Sequence, residues 1–145
     1  MKNAQVEVMK LVTTGKNSYP KYQYVEGKDL AGIVVDNCLI QTFLKCRNYM
    51  NVERCFDRPP LNLDSLIAQK ENAQPMYDMH MTKLAYGHTV MVFETEDRKE
   101  VLFDEKRMKD WFPARGVYYE GNKDVMFVYD EQLQIMVGMI LPVRI

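Results

Sequence analysis

The sequence predicts an α+β fold: a mostly antiparallel sheet with two or three helices packed on it. Three observations carry this. Residues 76–143 break into short apolar or alternating runs separated by turn residues, the pattern of strands joined by hairpins. The gaps between those runs are too short for the crossovers that parallel strands need, so neighbours pair antiparallel. Apolar residues recur at helical spacing over 37–50, 64–72 and 105–112, which supplies the helices.

In chain order, residues 4–13 (AQVEVMKLVT) alternate at Val6 and Val8 and predict a strand. Residues 14–28 hold two Gly, one Pro and three Tyr, which marks a loop with a short extended piece at Tyr22–Val25. Asp36 is a candidate N-cap, and Ile40, Phe43, Leu44, Arg47 and Met50 follow at helical spacing, so 37–50 predicts a helix. LAGIVV (30–35) reads either as a strand or as the first turns of that helix, starting near 29. Arg58-Pro59-Pro60 breaks the chain. Asn62 or Asp64 then caps a short helix over 64–72, which Gln74-Pro75 ends.

Strands follow at 76–85, 89–95 and 101–103, with Tyr86-Gly87 and Glu96-Asp97-Arg98 as turns. Asp104 caps a helix over 105–112, stopped by Pro113, whose Met108, Trp111 and Phe112 share one side. Residues 116–120, 124–129 and 134–143 are the last strands, with turns at Gly121-Asn122 and Asp130-Glu131. The expected organisation is a single domain over 1–145. Sub-units at 1–58 and 76–145 would be joined by the proline-containing segment and its short helix.

Composition places the chain among ordinary globular proteins: 145 residues, 47% apolar and 27% charged. No apolar run reaches the length of a membrane span, and the first residues lack the apolar block of a signal peptide, so a cytoplasmic protein without membrane partners is expected. Net charge is −1, with residues 1–72 at +2 and residues 73–145 at −3, too even a balance to draw nucleic acid by field alone. Cys38, Cys46 and Cys55 match no zinc or redox spacing. They read as small apolar side chains, and the eleven methionines as core filling. Phosphate-loop, dinucleotide, zinc-protease and serine-hydrolase signatures do not occur. No cofactor and no metal is expected.

The candidate sites are modest. His80 and His88 straddle the Tyr86-Gly87 turn and would be brought together by a hairpin, with Asp78 or Glu94 beside them. Lys16, Tyr19, Lys21, Tyr22, Tyr24 and Lys28 interleave basic and aromatic residues, as base-stacking surfaces do. A ligand pocket would draw on Tyr22, Tyr24, His80 and His88. Glu94, Glu96 and Asp97 at a hairpin tip read as solvated charge. On the 105–112 helix, Lys106 and Lys109 point away from the apolar side, with Arg107 near its edge.

Residues 99–145 run strand, short helix, strand, strand, strand, and close on Leu141-Pro142-Val143-Arg144-Ile145. This order, with FDEKRMKDW at the strand-to-helix passage, resembles the last half-domain of the bacterial DNA polymerase III β sliding clamp. The resemblance implies a DNA-clamp-like fold in that part. It also implies a helix turning Lys106, Arg107 and Lys109 towards nucleic-acid phosphates without reading sequence.

The function expected is therefore a non-enzymatic binding or scaffold module, clamp-like at its C-terminal end, an accessory protein of DNA replication or of a mobile element. Its partners would be other proteins or DNA. One alternative is a small α+β enzyme or ligand-binding protein, which a concave pocket gathering Tyr, His and carboxylate side chains would favour. Another is a structural homo-oligomer. Strands 89–95, 124–129 and 134–141 are apolar at nearly every position, and a few helices cannot cover both faces. Self-association, most simply as a dimer through Met-rich faces, is expected unless the N-terminal segment folds back over them.

Overall fold

The structure, a computed structural model, describes residues 1–14, 22–45, 56, 59–68 and 72–144. It is α+β, with ten strands and three helices among the described residues. The chain divides into two compact units, residues 3–69 and residues 70–145 with residues 1–2.

The first unit opens with a helix, α1 (Ala4–Thr14), where alternation predicted a strand over 4–13. Asn3 explains the start. Its side chain accepts the Val6 N–H at 3.1 Å and its carbonyl accepts the Glu7 N–H at 3.1 Å, the two bonds of an N-cap. Ala4 and Val8, four residues apart, are fully buried, whereas Val6 is exposed, so the buried period is helical and not two.

Three antiparallel strands follow: β1 (Tyr22–Glu26), β2 (Leu30–Val35) and β3 (Leu39–Leu44). The helix predicted over 37–50 is thus replaced by a hairpin as far as residue 44, and residues 46–50 lie outside the described residues. Asp36 is no helix cap. Asp36 and Asn37 take φ of 52° and 55°, the left-handed signs of a type I′ hairpin turn, closed by the Cys38 N–H on the Val35 carbonyl at 3.1 Å. Asp and Asn tolerate this region because their short side chains bond locally.

A two-residue strand, β4 (Leu61–Asn62), runs parallel to β1. Asn62 then caps α2 (Leu63–Ile67) by accepting the Ser65 N–H at 3.2 Å, a shorter helix than the 64–72 predicted. Strand order in this unit is β4-β1-β2-β3, with α1 packed on β2 and β3. Gln41 is buried because it has a task there: its side-chain oxygen accepts the Ala4 N–H, one of the amides that a helix start leaves unpaired.

The second unit holds six antiparallel strands: β5 (Gln74–Ala85), β6 (His88–Thr95), β7 (Glu100–Asp104), β8 (Val117–Gly121), β9 (Met126–Asp130) and β10 (Met136–Ile140). Their order is β10-β9-β8-β5-β6-β7. These strands agree with the sequence-based expectations, except that Gln74-Pro75 opens β5 instead of closing α2. Pro75 is tolerated because pairing of β5 with β6 begins only at Met76.

Tyr86 and Gly87, with φ of 51° and 77°, make the tight turn between β5 and β6. Asp104 caps α3 (Glu105–Trp111) by accepting the Arg107 N–H at 3.0 Å. The helix packs on β6 and β7, with Met108, Trp111 and Phe112 all buried, as their spacing predicted. Phe93 lies edge-on to Phe103 and to Tyr119, centroids 5.3 Å and 5.0 Å away. The Val143 N–H bonds the Leu102 carbonyl, bringing Val143 against Val90, Val92 and Leu102.

The Met-rich strand faces that predicted self-association are buried within the chain: Met126, Met136 and Met139 are each 6% exposed or less. Among the exposed large apolar side chains, five fall together on β5 and its turn: Tyr77, Met79, Met81, Leu84 and Tyr86.

Two substitutions test this packing. Trp111→Ala should cost about 3–5 kcal/mol in urea unfolding, as expected for a buried indole. Gly32→Ala should cost about 1–3 kcal/mol by overpacking, because a Cβ there would meet the Gln41 carbonyl oxygen, a backbone atom that cannot swing aside.

Candidate functional site

A cleft lies in the second unit, at a fork in its sheet. Strand β8 pairs with β5 only through Gln74↔Gly121, Pro75↔Glu120 and Met76↔Tyr119. Beyond Met76, β5 continues with β6 while β8 continues with β9, and the two separate. The β5–β6 ladder is itself irregular between Asp78 and Thr82, and His80 takes a φ of 55°. This is a bulge. Asp78 holds it: its Oδ1 accepts the His80 N–H at 2.8 Å, and its Oδ2 lies 3.8 Å from His80 Nδ1.

The opening between the two strands is a cleft of about 410 Å³, lined by Tyr77, Asp78 and His80 from β5, Tyr118, Tyr119 and Glu120 from β8, and Ala114 and Val117 beside them. Neighbouring residues on a strand point to opposite faces. Tyr118 and Tyr119 both line the cleft because it opens through the sheet between the diverging strands.

Tyr118 is fixed on its far side. It stacks on Tyr129 with centroids 5.1 Å apart and donates its hydroxyl to Gln134 Oε1 at 2.9 Å. Tyr119 is fixed by Phe93. Burial, with the nearby negative charge of Asp78 adding to it, pushes the Tyr119 phenol up to about 12. Near neutral pH this phenol therefore keeps its proton. No lysine or arginine is among the described residues that line the cleft.

The residues singled out from sequence are scattered. Tyr24 is a core residue of the first unit, 3% exposed and stacked on Phe56 at 5.3 Å. Tyr22 is half-buried on β1, in that same unit. His88 is exposed and pairs with Ala85 at the far end of the β5–β6 hairpin, so the turn does not bring it to His80. Five residues of β5 lie between, roughly 16 Å of extended chain. Of the four pocket candidates, the cleft contains His80 alone.

Lys16, Tyr19, Lys21, Cys46 and Cys55 lie outside the described residues. Cys38 is half-buried and its thiol donates to the Val35 carbonyl at 3.6 Å. Among the described residues no three His, Cys, Asp or Glu side chains gather as a metal-binding group. No helix among them is long and apolar enough to cross a membrane.

On α3, Lys106 and Lys109 are exposed and Arg107 is half-buried. Lys109 pairs with Glu105 at 3.6 Å, and Arg107 with Asp104 at 3.9 Å. The helix therefore carries its own counter-charges, worth little to stability at an exposed surface but placed to compete with a phosphate. At the β6–β7 tip, Thr95 donates its hydroxyl to Asp97, which with the charge of Lys99 holds that carboxyl below the usual carboxylate range. The Asp97 carboxylate is occupied in shaping a turn.

Sequence reasoning missed Asp78, Tyr77, Tyr118, Tyr119 and Glu120 as a group. Gly116-Val117-Tyr118-Tyr119-Glu120 was legible as an aromatic strand, but nothing local says where its pairing with β5 stops. No family model, no curated protein and no solved structure matches the chain.

Because Tyr119 binds its proton more tightly folded than unfolded, its contribution to stability is complete below pH 10 and is lost as pH rises towards 12. Titration of tyrosine absorbance should show one phenol ionising about two units late. Asp78→Asn removes a charge while keeping an acceptor for the His80 N–H, and should bring that phenol down; an unchanged titration would show that Asp78 does not act on it.

Proposed function

We propose that the chain is a non-enzymatic binding module whose fork cleft holds an organic cation, the guanidinium or ammonium end of a basic group. The observation that supports this is that Tyr77, Tyr118 and Tyr119 line one cleft together with Asp78. Aromatic faces attract a cation through their quadrupole, most strongly where water is partly excluded. A carboxylate at the same place adds a charge-assisted hydrogen bond, which is shorter and stronger than a neutral one.

Binding suits the site better than acid–base catalysis does. A general acid or base works best with its pKa near the operating pH, and Tyr119 is moved away from neutrality. The cleft is open to solvent, unlike a site that must exclude water around a reacting group. Of the readings drawn from sequence, a ligand-binding protein with a Tyr/His/carboxylate pocket fits this geometry most closely, with Tyr77, Tyr118 and Tyr119 in the place of Tyr22 and Tyr24. The clamp-like role would instead use Lys106, Arg107 and Lys109, two of which already face carboxylates on or beside α3.

Acetyl-arginine amide titrated into 15N-labelled protein tests the cation site. Shifts should concentrate at residues 75–80 and 117–120, and Asp78→Asn should weaken binding at least tenfold. Shifts spread over the surface, or an unaffected Asn variant, would defeat the proposal. A parallel titration with a short DNA duplex at low salt tests the other surface. If Lys106→Glu with Lys109→Glu abolishes a salt-dependent complex, the basic face of α3 is the functional one.

A further inference from the structure

We infer that the occupant of the cleft is an extended segment of a partner protein, which adds as a strand to the free edge of β5 and places a basic side chain against Asp78. The inference rests on the cation site proposed above and goes beyond it in naming the partner and its backbone conformation. Three features of one strand carry it.

The first is the edge itself. Among the described residues, no strand pairs with Tyr77–Ala85 on the side away from β6. An unpaired strand edge presents a row of N–H and C=O groups that another extended chain can satisfy. The second is apolar exposure along that stretch. Met79 is 38% exposed, Met81 55% and Leu84 81%. Flexible methionines at a binding surface adapt to varied apolar side chains. The third is charge. The edge begins in the cleft at Asp78, beside the tyrosine rings, and the cleft offers no lysine or arginine among its described lining residues. A segment that enters there meets aromatic faces and a carboxylate first, then apolar side chains. Its complement is one Arg or Lys followed within a few residues by apolar ones.

The bulge at His80 sets how such a segment is read. Pairing in register cannot run unbroken through Asp78–Thr82, where the partner strand β6 already loses its own register. The basic residue is therefore held by side-chain contacts at the fork, and the main-chain ladder lies beyond it, at 82–85. The same bulge keeps a second copy of β5 from pairing along the full edge, because two bulged strands would have to interrupt one another. This favours a straight heterologous segment over self-pairing.

The test is a random peptide library displayed on phage and selected on the full chain, with recovered peptides resynthesised and measured by calorimetry. Selected peptides should carry Arg or Lys with apolar residues on one side of it. Asp78→Asn, and Met81→Glu with Leu84→Glu, should each weaken binding at least tenfold; all three positions lie outside the buried core, so folding should survive, as circular dichroism will check. Methylating the peptide's backbone nitrogens over its apolar part should also weaken binding at least tenfold, since it removes strand donors and keeps every side chain. If methylation has no effect while acetyl-arginine amide still binds through Asp78, strand addition is wrong and the cation site stands. If no peptide is selected, or those selected are acidic or indifferent to Met81 and Leu84, the inference falls. It falls equally if sedimentation shows a dimer that Met81→Glu with Leu84→Glu converts to monomer, because a second copy then occupies the edge.

Discussion

Strand β5 has twelve residues and two neighbours that use it unequally: β6 pairs along most of its length, β8 along three positions. Much of what is distinctive in the second unit follows from that inequality. Where β8 leaves, the sheet forks, and residues that would sit on opposite faces of an intact ladder come to line one opening. Where β5 continues without β8, it has one satisfied edge and one open edge. The bulge at Asp78–Thr82 follows directly on the point of divergence, and a bulge strengthens local twist. Asp78 belongs to both features, bonding the His80 N–H at the bulge and lining the cleft.

The rest of the second unit makes this irregularity affordable in stability terms. Phe93, Phe103 and Phe127 are fully buried, and α3 lays Met108, Trp111 and Phe112 over β6 and β7. Lys2 adds a tie at the start of the chain: its N–H bonds the Asp110 carbonyl and its ammonium lies 5.7 Å from the centre of the Trp111 ring. The first unit is held by a different kind of detail. Its buried polar side chain Gln41 satisfies the first amide of α1, and Asp64 accepts the Lys28 N–H at 3.1 Å, fastening α2 to the turn after β1. Among the described residues no buried side-chain nitrogen or oxygen lacks a hydrogen-bond partner.

The cleft draws its chemistry from partial desolvation. Tyr119 is buried enough to resist ionisation, and Asp78 lies beside it. A carboxylate in that position is a stronger attractor than one on an open surface, because less water screens it. On α3 the balance is reversed. Lys106 and Lys109 are exposed and Arg107 half-buried, and Arg107 and Lys109 face acids about one turn away, so their field is weak at a distance. Two surfaces with charged residues thus differ in what they can hold, and the difference lies in burial and neighbours, not in residue count.

The sequence by itself determined the strands from β5 to β10, the cap Asp104, and the buried side of α3. Each of these is written in residues close together along the chain: Tyr86-Gly87, Gly121-Asn122 and Asp130-Glu131 as turns, and Met108, Trp111 and Phe112 one helical turn apart. Tertiary structure decided the rest. Residues 4–13 satisfy either period, and they are helical because Ala4 and Val8 find burial on β2 and β3 and the Ala4 amide finds Gln41, 37 residues away. Asp36 serves equally well as a helix cap or as the first residue of a left-handed turn; pairing of β2 with β1 selects the turn. The cleft was least legible of all, because it depends on where two strands more than forty positions apart stop pairing. That point is set by the sum of contacts along both, and no local residue pattern records it.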